Sequence, residues 1–192
     1  LRYGREMHAL IEGSELCVIA RAGHIPMWEN PAEFNATLIR FLDQHDRLAP
    51  APRLRAAFSW GISGWTAGIA HRSSGHGPCA VLLHGLGMSS EDVRPVASAL
   101  FDRGFRVLAP DLPGFGRTPG PGRGLSISEQ AEAVVAFMAA LELGPAVLVG
   151  HSLACQALVE VAVARPELVR TLVLASPTGA KRHASGIGCD PG

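Results

Sequence analysis

A serine on a sharp turn between a buried apolar run and a helix can act as a nucleophile. The segment VLVGHSLACQALVEVA has this layout, with Gly150-His151-Ser152-Leu153-Ala154 at the turn. Small residues two positions before and after Ser152 let such a turn pack tightly and push the hydroxyl outward. The helix that follows would aim partial positive charge at an oxyanion forming there. The five-residue pattern alone is common, and an ordinary serine N-cap is its plainer reading. The strand-turn-helix context is what singles out Ser152.

An activated serine needs a base for its proton and donors for its oxyanion. In AVLLHGLG an apolar run ends at His84-Gly85, and Gly85 and Gly87 permit turns that aim N–H groups into a cleft. HGLG in isolation reads as a flexible turn. Joined to Ser152 it yields two candidate oxyanion donors, the N–H groups of Leu86 and Leu153. Among eight histidines, His24 follows an apolar run and a glycine and precedes a well-capped helix, in RAGHIPMWENPAEFNATLIRFL. By its own residues it reads equally as a general base or as a surface-loop histidine. His84 and His151 flank other motifs and read as structural. His71, His76 and His183 lie in Gly/Ser-rich loops, His8 lies on a helix and His45 at a helix end.

The elements that must position these residues alternate between strand-like and helix-like runs, the pattern of an α/β sheet. Strands are expected at Leu16–Ala20, as a pair on either side of Gly61–Gly64 within 54–72, and at Cys79–Leu83, Phe105–Ala109, Ala146–Val149 and Thr171–Ala175. Helices are expected over 1–12, from Pro31 with Asn30 as cap, up to Gly104, from Ser126 to about Leu143, and up to about Arg165. Residues 46–53, polar with two prolines, read as a linker.

Composition narrows the function classes. The 192 residues suffice for one domain with a core, at 47% apolar and 18% charged. Formal net charge is zero, so no electrostatic nucleic-acid or membrane partner is expected. No apolar run reaches the roughly 18 residues of a membrane span. Four cysteines stand far apart with no C-x-x-C pair, which disfavours disulfides and structural zinc. A cytoplasmic protein with reduced thiols is the simpler reading. The first residues carry neither a signal-peptide layout nor an initiator Met, as in a processed or truncated chain.

With these motifs in view, the chain resembles the α/β-hydrolase superfamily, and closely its esterase and C–C hydrolase branch. The resemblance rests on LLHGLG, FRVLAPDLPGFGRT, VGHSLA, LVLASP and GHIPMWENPAEFNATLIRFL, covering residues 1–45 and about 54–178. It implies a mostly parallel sheet with helices on both faces, and hydrolysis of an ester or related acyl group. It implies a small-molecule acyl substrate and no metal or organic cofactor. Ser152 disfavours epoxide hydrolases and haloalkane dehalogenases, which use an aspartate at that place. Asp111 matches a position that shapes the site, not the acid of the triad.

The chain departs from the family in its order. There the serine precedes the acid and the histidine comes last. Here His24 precedes Ser152. The resemblance thus implies that 1–45 is the C-terminal-type segment of a hydrolase unit and 54–178 the N-terminal-type segment, followed by an irregular tail, 179–192. The cap region and the acid-bearing strand are expected to be missing. Asp190, in a Gly/Pro tail, does not fit the acid's role. Three accounts stand: a junction of two tandem units, a circular permutant, or a recombined or mistranslated product. A linker of residues 46–53 could span about 26 Å, at roughly 3.3 Å per residue, which leaves the permutant open. The alternative function is a catalytically incomplete fragment, inactive alone or needing a partner segment, with an unpaired sheet edge that invites self-association.

Overall fold

The computed structural model describes residues 2–45 and 57–179. Helix α1 (Arg2–Leu10) is followed by irregular chain, one helical turn α2 (Pro26–Glu29) and helix α3 (Pro31–His45). Then come β1 (Ile62–Thr66), β2 (Ile69–Ser74), β3 (Cys79–Leu83), α4 (Arg94–Asp102), β4 (Arg106–Pro110), α5 (Ile127–Ala140), β5 (Ala146–His151), α6 (Leu153–Ala164) and β6 (Val169–Ala175).

These strands form one sheet in the order β1-β2-β4-β3-β5-β6. The hairpin β1/β2 is antiparallel and β2 joins β4 antiparallel. The pairs β3/β4, β3/β5 and β5/β6 are parallel. Parallel neighbours need helical crossovers, and the crossovers cover both faces of the sheet. Alternation along β3 separates the two layers. Ala80 and Leu82 face a core built with Met27, Phe34, Leu38 and Leu42 of α2–α3 and Val96, Ala97 and Leu100 of α4. Val81 and Leu83 face a second core with Val134, Phe137 and Met138 of α5 and Ala154, Leu158 and Val161 of α6.

The N-terminal segment joins this body through α3. That helix lies beside α4: Asn35 Nδ2 donates to the Pro95 carbonyl at 3.2 Å, and Asp43 pairs with Arg103 at the other end. Each partner is eight positions further along, so the two helices run in the same direction. Trp28 Nε1 adds a bond to the Asp92 carbonyl at 2.6 Å. The capping expectations hold in geometry. Asn30 Oδ1 accepts from the Glu33 N–H at 3.5 Å, and Ser126 and Glu129 form a reciprocal capping box.

Two expectations need correction. Leu16–Ala20 is not a strand: it joins no ladder, and Leu16 and Val18 are 37% and 61% exposed. An apolar run becomes a buried strand only when a neighbouring strand takes its backbone groups. Among the described residues β6 is the last strand of the sheet, and nothing pairs with it on its outer side. The hairpin turn also lies elsewhere than Gly61–Gly64. It is the two-residue loop Ala67-Gly68, both at positive φ, as the right-handed strand twist favours. The predicted linker over 46–53 lies outside the described residues, as does the predicted tail beyond residue 179.

Candidate active site

Four parallel strands end on the same side of the sheet, and the candidate residues gather there, where α/β sheets bind ligands. Fully buried β5 delivers His151 and Ser152, and α6 starts at Leu153. Ser152 sits at φ 55 and ψ −115, a conformation costing about 1–3 kcal/mol for a non-glycine residue. Its N–H donates to the Ala175 carbonyl of β6 at 3.0 Å, which helps hold the turn. Gly150 is needed because α6 turns back over it. A Cβ there would stand 2.8 Å from Leu158 Cδ1 and 3.1 Å from the Ala154 carbonyl carbon.

The loop after β3 lies against this turn. A Cβ on Gly85 would stand 3.0 Å from His151 Nδ1 and 3.2 Å from Ser152 Cβ. His84 is fully buried and engaged at both ring nitrogens. Nε2 accepts from the Leu112 N–H at 2.9 Å, and Nδ1 is left to donate to the Gly85 carbonyl at 2.8 Å. It ties the loop after β3 to the loop after β4, a structural role as its flanking position suggested. Leu86 is 68% exposed at the tip of the Gly85–Met88 turn. Leu153, the first residue of α6, has an N–H with no intrahelical acceptor.

The structure brings His24 to Ser152: Nε2 and Oγ lie 2.9 Å apart. No strand carries His24 there. Its loop hangs from α2 and α3. The Glu29 carboxylate accepts from the N–H groups of Gly23 and Ile25, on either side of His24. Asn30 Nδ2 donates to the Ala20 carbonyl at 2.9 Å, and Glu33 accepts from the Ala20 N–H. The His24 carbonyl faces His151 Nε2 at 2.7 Å. Among the described residues, the side chain of His24 makes this one hydrogen bond, to Ser152, and none to a carboxylate.

Ser152 and His24, both expected from the sequence, are brought together, whereas sequence reasoning missed the bonds of Glu29 and His151 to the His24 loop. Glu29 stands in the turn right after that loop, a spacing that could have signalled it. Nothing local marks the contact of His151 with His24, which is long-range.

Asp111 lies under the site at 1% exposure. Burial alone would raise its pKa. The Ser90 hydroxyl and N–H (2.6 Å) and the Arg117 N–H (2.9 Å) outweigh burial and hold it below the ordinary carboxylate value. It thereby braces the loops after β3 and β4. Burial pushes the Cys155 thiol up to about 12, and its sulfur donates to the Gly150 and Ala175 carbonyls. Burial also lowers His84 and His151, which favours their neutral forms. Among the described residues no three His, Cys, Asp or Glu side chains are grouped to hold a metal ion, and no helix is long and apolar enough to cross a membrane.

Residues 81–187 match the family described as alpha/beta hydrolase fold. The chain is 34% identical over 102 residues to 2-(acetamidomethylene)succinate hydrolase of Mesorhizobium japonicum, covering 53% of this chain and 36% of that protein. An epoxide hydrolase of Vigna radiata superposes with TM-score 0.53 at 30% identity, over 57% of this chain and 37% of the other. A putative lipase of Acinetobacter baumannii superposes with TM-score 0.56 at 27% identity, over 67% and 44%. The matched stretch spans about a third of the length of the first curated relatives, 34% and 36%.

Proposed function

Because the chain belongs to the α/β-hydrolase fold family, we propose that it is a serine-dependent hydrolase of an ester or related acyl group, with Ser152 as nucleophile and His24 as base. One observation carries this reading, the 2.9 Å approach of His24 Nε2 to Ser152 Oγ. Hydrogen-bond reach between nucleophile and base is the first requirement of such a pair.

Ser152 Oγ attacks the carbonyl carbon as its proton moves to His24 Nε2. The N–H groups of Leu86 and Leu153 receive the oxyanion. Collapse expels the alcohol or amine, which takes the proton from His24, and leaves an acyl-serine. A water then gives a proton to His24 as its oxygen attacks the acyl carbon, and His24 returns that proton to Ser152 Oγ as the acid departs. The strained turn at Ser152 and the helix start at Leu153 favour the step that forms the oxyanion.

A second reading has its own observation. The one side-chain hydrogen bond of His24 goes to Ser152, so no described carboxylate fixes its tautomer. Loss of that orientation costs about 10⁴ in turnover in the worked serine triad. On this reading the chain acylates but turns over slowly, or needs a partner segment to turn over at all.

A fluorophosphonate probe tests the nucleophile common to both readings, and ester kinetics separate them. The folded chain is expected to label at Ser152, with no label on Ser152→Ala. Folded protein that stays unlabelled overturns the proposal. With a chromogenic ester, an acyl burst followed by little steady turnover favours the second reading.

A further inference from the structure

His151 is a buried titratable group that the mechanism above leaves unused, and it stands next to the nucleophile. Its side chain is 2% exposed, and its ring centroid lies 5.0 Å from that of His24. A backbone carbonyl can only accept, so the 2.7 Å contact with the His24 carbonyl requires a proton on His151 Nε2. Nδ1 is buried with no hydrogen-bond partner and faces Gly85. A buried unpaired nitrogen costs about 1–3 kcal/mol. That cost argues that the ring is held for its one bond.

We propose that His151 is the positioning residue for the base: its Nε2–H grips the backbone carbonyl of His24, so consecutive residues 151 and 152 hold both ends of His24. Residue 152 engages the His24 ring and residue 151 its main chain. The base is thereby referenced to the same turn that carries the nucleophile. The need is clear from the fold. The chain before His24 joins no strand, and Leu16–Ala20 is unpaired. Glu29 fixes the loop to its own helix; among the described residues, the His151 bond is the one that ties the backbone of the loop to the turn bearing Ser152. A misplacement of about 1 Å would take Nε2 out of reach and can cost about 10²-fold. This inference rests on Ser152 and His24 acting as proposed above.

The test compares the rate of fluorophosphonate labelling at Ser152 in the unaltered chain, His151→Gln and His151→Leu, with thermal melting of each. The Gln amide nitrogen can stand where Nε2 stands; Leu offers no donor. His151→Gln is expected to keep most of the rate, and His151→Leu to lose between about tenfold and a hundredfold. Equal rates for His151→Leu and the unaltered chain overturn the proposal. So does equal slowing in both variants, since that marks a shape requirement rather than a donor. NMR of the unaltered chain gives a reading free of any folding defect in the variants. A proton on His151 Nε2, coupled across the hydrogen bond to the His24 carbonyl carbon, is expected; a proton on Nδ1 instead overturns it. An unaltered chain that folds but does not label defeats the serine–histidine reading itself. The positioning role then falls with it, even if NMR finds the Nε2 proton in place.

Discussion

His24 Nε2 stands 2.9 Å from Ser152 Oγ, although 128 residues separate them and the histidine comes first. The contact is made by a loop hung from two helices, not by a strand end. Helix α3 lies against α4 through Phe34, Leu38 and Leu42, which are nearly fully buried. That packing brings the exposed His24 loop to the carboxyl ends of the parallel strands.

Replacing His24 with Ala should lower the rate of fluorophosphonate labelling by about 10²–10⁴-fold, the span of general-base catalysis. Because His24 is exposed, the melting temperature should change little. A variant that labels at the original rate would remove His24 from the mechanism.

Gly85→Ala should leave the fold intact but push the loop after β3 away from the nucleophile turn. The new methyl would meet His151 Nδ1 at 3.0 Å, Met88 Sδ at 3.2 Å and Ser152 Cβ at 3.2 Å. If Leu86 N–H is an oxyanion donor, the loss in ester hydrolysis should reach about 10²–10³-fold. Stopped-flow acylation measures it, and undiminished acylation would exclude Leu86 from that role.

Asp111→Asn should destabilise the chain by about 1.5–3 kcal/mol at neutral pH, the worth of hydrogen bonds to a charged group. The sign with pH follows from its depressed pKa. A carboxylate held below its unfolded value stabilises fully above that value, near 3.8, and loses the contribution as pH falls through the folded value. The gap between the two chains in urea should therefore be widest at neutral pH and begin to narrow as pH falls below about 3.8. A gap that stays constant on acidification would show that the charge of Asp111 contributes nothing.

Cys17 is exposed, whereas Cys155 is buried and its thiol pushed up to about 12. The thiolate is the reactive form, so at neutral or mildly alkaline pH iodoacetamide should modify Cys17 and spare Cys155. Peptide mapping of native and urea-unfolded protein checks this. Native modification of Cys155 would mean that the base of α6 opens readily.

Much of the sheet was legible along the chain because its signals are local. Apolar runs such as CAVLL and AVLV are too short for helices and are bounded by Gly and Pro, and they became β3 and β5 with ends moved by two residues or fewer. The capping box at Ser126 and the cap at Asn30 depend on neighbours three residues away, and both formed. Leu16–Ala20 misled for the same reason. Its composition is that of a strand, but composition cannot supply the neighbouring strand that would take its backbone bonds.

What the sequence determined by itself was the family and the identity of Ser152 as the candidate nucleophile, since the strand, the turn and the helix that frame it are contiguous. The tertiary structure decided the company of that serine. Only packing of α3 on α4 could bring His24 within 2.9 Å of it, and only the folded turn could set His151 against the His24 carbonyl. These contacts join residues more than a hundred positions apart. No spacing along the chain encodes them; they follow from which apolar faces bury together.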